Sequence, residues 1–105
     1  MTFQLTIKTA ADLEAEAQAA LKAEITRAID KHVEDRARAL EYNGAAHLAS
    51  YVSSAVPEWA AEAQAFVAWR DAVWTEALSL LAAHQHSGDL PSVAGVIAAL
   101  PEWPS

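Results

Sequence analysis

The stretch AEAQAFVAWRDAVW, residues 61–74, sets Arg70 among Phe66, Trp69, Val73 and Trp74. A guanidinium in such company serves one of three chemistries. It holds an anionic substrate, it anchors a partner, or it packs its stem on aromatic rings while its head meets a carboxylate. The first needs a base, a nucleophile or a phosphate-cradling loop nearby, and the chain's three glycines form no Gly-rich loop. Residue chemistry therefore favours a structural ion pair in which Arg70 ties its helix to another element, with Glu41 and Glu62 as the candidate partners.

Histidine is the other residue type with chemistry to offer, at positions 32, 47, 84 and 86. His84-x-His86 is the nearest thing to a ligand pair, yet side chains two apart on a helix point about 200° apart and converge only where the helix has unwound. No H-E-x-x-H pattern accompanies it, so no metal and no cofactor are expected. Carboxylates crowd into DLEAEA and DKHVEDR, where acids on the outer face of a long helix are normally solvated. No Ser-His-Asp arrangement can be assigned, and the absence of cysteine removes thiol nucleophiles, thiolate metal sites and disulfides together. No enzymatic activity is expected.

Tryptophan occurs four times. Laid out at helical spacing, Trp59, Ala63, Phe66, Arg70, Val73, Ala77, Leu81 and His84 share one face, flanked by Trp69 and Trp74. That places Trp59, Trp69 and Trp74 in a core. Trp103, in a proline-flanked tail, is left as an exposed partner-binding anchor. A second candidate contact is TFQLTI, residues 2–7, where Phe3, Leu5 and Ile7 alternate with polar residues at the period of a half-buried strand. With no second strand in the chain, this arm suits partner binding by strand addition.

These residues need helices to position them. Thr9-Ala10-Ala11-Asp12 has capping-box spacing, and Ala-, Glu- and Leu-rich sequence runs on without glycine or proline to Gly44. The pattern predicts a first helix over 10–41, with a stripe through Leu13, Ala17, Leu21, Ile25, Ile29, Val33, Arg36 and Leu40, and with Glu34 and Arg38 as an i, i+4 surface pair. Asn43-Gly44 stops it, and a short helical segment follows at Leu48, Tyr51 and Val52. Pro57 opens a third helix to about residue 86, and Ser92 caps a short fourth through Val93, Val96, Ile97 and Leu100. The expected fold is all-α: an elongated antiparallel helical hairpin with two additional short helices and a strand-like N-terminal arm. It forms a single domain over 1–105, divided into the arm at 1–9 and the helical body at 10–105.

Of the 105 residues 53% are hydrophobic, but 26 are alanine, so the core is thin and packed through small side chains. The net charge is −7, and beyond residue 41 Arg70 is the only Lys or Arg. Such a surface repels phosphate, which argues against nucleic acid and anionic membranes as partners. No apolar run approaches the roughly 20 residues that span a bilayer, and the first twenty residues lack the pattern of a signal peptide.

VEDRARALEYNGAAHLASYVSSAVPEWAAEAQAFVAWRDAVWTEALSLL together with LPSVAGVIAALPEW resembles small tail-fibre-associated, or tail fibre assembly, proteins of tailed phages and prophages. The likeness covers roughly residues 33–103. It is carried by the acidic helix running into Tyr42 and a glycine, by HLASY, by Ala68-Trp69-Arg70 with Trp74, and by the Leu-Pro ending before Trp103. It implies an assembly chaperone or tail accessory protein that works by binding a phage tail or tail-fibre protein, or a second copy of itself. It implies residence in the host cytoplasm, with incorporation into the virion left open. The family supplies no catalytic residues. The alternative reading from charge is an acidic phage-encoded protein that blocks a basic host surface.

Overall fold

The computed structural model describes residues 9–87 and 90–104, and the side chains of all of these except 85–87. The arm with Phe3, Leu5 and Ile7 lies outside the described residues. Four helices follow one another: α1 (Ala10–Ala39), α2 (Ala45–Ala49), α3 (Pro57–Ser87) and α4 (Val93–Ala99). The fold is all-α, and the two long helices pack against each other as an antiparallel hairpin.

Helix α1 starts as its sequence dictates. The Thr9 hydroxyl accepts from the Asp12 N–H at 3.1 Å, and the Asp12 carboxylate accepts from the Thr9 N–H at 3.1 Å, so each residue satisfies a backbone donor of the other. Its end comes earlier than the Asn-Gly signal predicts. The Tyr42 N–H donates to the Ala37 carbonyl and the Glu41 N–H to the Arg38 carbonyl, the pair of bonds that closes a Schellman motif. The left-handed position this motif requires is filled by Glu41, at φ 72°. Gly44 serves a different turn. It is buried, with φ 153° and ψ 177°, and leads directly into α2.

Helix α2 has no side-chain cap of its own. Its first N–H, that of Ala45, donates to Glu34 Oε1 at 3.1 Å, so a carboxylate on α1 satisfies a helix start eleven residues away. Glu34 is thus drawn inward and makes no i, i+4 pair with Arg38; that arrangement is found instead at Lys31 and Asp35.

The core is a single cluster. From α1 it takes Ile25, Ile29, Val33 and Ala37, an unbroken i, i+4 ridge, and from α3 it takes Ala63, Phe66, Trp69, Val73, Ala77 and Leu81. Leu48, Val96 and Leu100 complete it. On α3 the stripe steps by three from Phe66 to Trp69, which brings the indole in and leaves Arg70 at the margin. Helix α4 runs alongside α1 in the same direction. Leu90, just before it, borders Ala15–Lys22, and Leu100, just after it, borders His32 and Arg36.

The core occupies only the middle and the closed end of the hairpin. Between Ala10 and Glu24 no side chain of α1 is buried, although Leu13, Ala17 and Leu21 continue the core ridge.

Candidate functional site

Arg70 does not tie α3 to another element. Its Nε and Nη2 donate to Asp71 Oδ1, at 3.1 and 3.0 Å, the carboxylate of the next residue on the same helix. The two side chains keep 35% and 64% of their exposure, so the pair is worth no more than about 1 kcal/mol. The packed guanidinium belongs to Arg36 instead, whose Cζ lies 5.9 Å from the centre of the Trp103 ring.

Trp103 is correspondingly no free anchor. It is half-buried, edge-on to Trp69 at 5.6 Å and near Phe66 at 6.4 Å. The Trp69 indole N–H donates to the Pro101 carbonyl at 2.9 Å, which satisfies a buried polar group and fixes the tail to α3. The exposed tryptophan is Trp59, at 49%. The expected roles of Trp59 and Trp103 are therefore exchanged. Trp59 sits in the first turn of α3, ahead of Ala63 where the buried stripe begins, beside the recess that Leu40 at the end of α1 also lines.

Two surface regions stand out. Toward the open end of the hairpin Leu13 on α1 is 54% exposed, and on α3 Leu78, one turn before the buried Leu81, is 62% exposed. Between the helices there lies a depression of about 290 Å³ lined by Ala15, Gln18, Ala19, Lys22, Leu81 and Leu90. Among the described residues of α1 before Ile25, the acids Asp12, Glu14, Glu16 and Glu24 stand against the single base Lys22.

At the closed end a recess of about 340 Å³ is lined by Leu40, Glu41, Tyr42, His47, Tyr51, Trp59 and Glu62. Three elements meet here: the Schellman turn supplies Tyr42, α2 and the turn after it supply His47 and Tyr51, and the start of α3 supplies Trp59 and Glu62. His47 Nδ1 accepts from the Asn43 N–H at 3.1 Å, which leaves Nε2 facing the Tyr51 hydroxyl at 3.4 Å. The Tyr42 hydroxyl is held above its ordinary pKa, first by burial, then by its hydrogen bond to the Glu62 carboxylate and by the charge of that group, with Tyr51 adding to the effect. Sequence reading missed this grouping. Tyr42 and Tyr51 converge only because α2 is five residues long and turns the chain back on itself.

Among the described residues no three His, Asp or Glu side chains group as metal ligands, and no helix is long and apolar enough to cross a membrane. Fold and surface together define an acidic helical hairpin with an apolar open end and an aromatic recess at its closed end. No family model, curated protein or solved structure matches the chain.

Proposed function

We propose that this protein is a phage tail or tail-fibre assembly chaperone or tail accessory protein, and that it acts by binding a tail or fibre protein at the open end of its hairpin. One observation carries the binding reading. The ridge of α1 that buries Ile25, Ile29 and Val33 continues through the half-buried Leu21 to the exposed Ala17 and Leu13, beyond the last buried residue of the helix, and Leu78 is exposed on α3. An apolar ridge that outruns its own core suits a hydrophobic segment of another chain. Acidic residues around it favour a partner segment with basic flanks. The class of partner comes from the sequence likeness, residues 33–103.

The test mixes the purified protein with the tail-fibre protein of the same phage or prophage and measures complex formation by analytical ultracentrifugation. Leu13→Glu with Leu78→Glu should weaken the complex at least about tenfold, since each change removes a buried apolar contact and places a charge in it. The thermal midpoint should stay put, because neither side chain belongs to the core. Absence of a complex with the unaltered chain, or undiminished binding by the double variant, contradicts the proposal.

A further inference from the structure

The recess at the closed end has a composition that apolar packing does not account for. Tyr42 and Tyr51 meet at 5.7 Å between centroids with their planes 59° apart, and Tyr51 and Trp59 meet at 5.7 Å with planes 83° apart. His47 stands edge-on to both tyrosines, at 5.6 and 5.4 Å. Rings set so steeply to one another present π faces on different walls of one space. Each face is the negative side of an aromatic quadrupole, and cations are drawn to it.

The charged side chains lining the same space are Glu41 and Glu62, and no Lys or Arg is among its lining residues. At about 340 Å³ it lies at the small end of the range for ligand sites, a size suited to one side chain rather than to a larger molecule. Trp59 is a rim residue with half its surface in water, held from behind by Tyr51 alone among the aromatic residues. The backbone that supports the rim departs from relaxed geometry. Glu41 occupies the left-handed region at φ 72°, where glycine would rest without strain.

We infer that this recess binds a side-chain ammonium or guanidinium, a lysine or arginine presented by a bound protein. The cation would lie against the Trp59 and tyrosine faces with its charge toward Glu62. That a protein supplies it rests on the protein-binding reading above, whereas the preference for a cation rests on the recess alone. The recess and the open end lie at opposite ends of α1, roughly 40 Å apart at 1.5 Å per residue, so the two contacts can be tested separately.

The experiment follows the indole N–H of Trp59 and the recess backbone by two-dimensional NMR on the full chain. The probes are Nα-acetyl-arginine amide, Nα-acetyl-lysine amide, the neutral Nα-acetyl-norleucine amide and tetramethylammonium. One of the two cationic amides should shift these signals saturably, with the norleucine amide about tenfold weaker or more. Trp59→Ala should weaken cation binding about five- to tenfold, and Glu62→Gln, which keeps the shape and removes the charge, should weaken it several-fold. Equal binding of the norleucine amide makes the recess a plain apolar pocket and overturns the inference. So does the absence of a saturable shift with both cationic amides, or undiminished binding by Trp59→Ala. Tetramethylammonium binding much more tightly than either amide overturns the side-chain source and assigns the recess to a free organic cation. None of these probes involves a tail-fibre protein. Failure to form a complex with that protein therefore leaves this result intact, and the reverse also holds.

Discussion

Gly44→Ala should be costly out of proportion to one methyl group, and its cost divides into two parts that a mutant cycle separates. The first part is backbone strain. With φ 153° and ψ 177°, Gly44 occupies a region essentially reserved for glycine, and forcing an L side chain there costs about 1–3 kcal/mol. The second part is the cap on α2. A Cβ at residue 44 would stand 2.6 Å from Glu34 Oε2, so the carboxylate must swing away and release the Ala45 N–H. Losing a helix cap costs about 1 kcal/mol. Together these predict a loss of about 2–4 kcal/mol, a fall of roughly 10–20 °C in thermal midpoint for a domain of this size. Glu34→Ala alone should cost about 1 kcal/mol through the same cap. The double variant has no carboxylate to displace and no cap left to lose, so it should be no less stable than Gly44→Ala, a coupling of about 1 kcal/mol. Urea denaturation followed by far-ultraviolet circular dichroism measures all three variants. Additivity of the single effects to within about 0.5 kcal/mol would refute the claim that Glu34 is held over Gly44, and a cost for Gly44→Ala below about 0.5 kcal/mol would refute the strain.

Arg70→Met should change stability by less than about 0.5 kcal/mol, because the pair with Asp71 joins neighbours on one exposed face; a fall of several degrees in thermal midpoint would show a contact beyond Asp71. Trp103→Ala should cost about 2 kcal/mol, less than a fully buried tryptophan, through lost contact with Trp69, Phe66 and Arg36, and an unchanged urea midpoint would return Trp103 to the surface. Alkaline pH should destabilise the fold through Tyr42. Its folded-state pKa is raised above the ordinary value of about 10, so its contribution is fully present below about pH 10 and is lost as pH rises through the folded value. Tyr42→Phe should lose less stability between about pH 9 and pH 11 than the unaltered chain, and an identical loss in both proteins would contradict this assignment.

Helix starts were legible because they are local. Thr9 with Asp12, Pro57, and Ser92, whose hydroxyl accepts from the Gly95 N–H at 3.0 Å, act through residues within one turn. The end of α1 was not, because glutamate took the left-handed position that glycine usually fills, and Gly44 was needed three residues later for close approach to Glu34. Periodicity found both apolar stripes but could not say where they stop being covered. Leu13 and Ile25 lie on the same ridge, and only the packing of α3 and α4 decides that one is exposed and the other buried. The exchange of Trp59 and Trp103 has the same origin. Trp59 has the spacing of a core residue but precedes Ala63, where burial on α3 begins, whereas Trp103 is carried onto Arg36 and Trp69 by the return of α4 along α1. Arg70 lies within the angular range of the stripe, and the choice of the indole at position 69 over the guanidinium at 70 follows from the cost of burying a charge without a buried partner.

Backbone hydrogen exchange over residues 10–24 of α1, with and without the tail-fibre protein, tests the central claim most directly. In the free chain these amides should exchange much faster than those of residues 25–37, whose ridge is buried. Addition of the fibre protein should slow residues 10–24 markedly while leaving 25–37 nearly unchanged. A stable complex in which residues 10–24 exchange as fast as before would place the binding surface elsewhere and contradict the account.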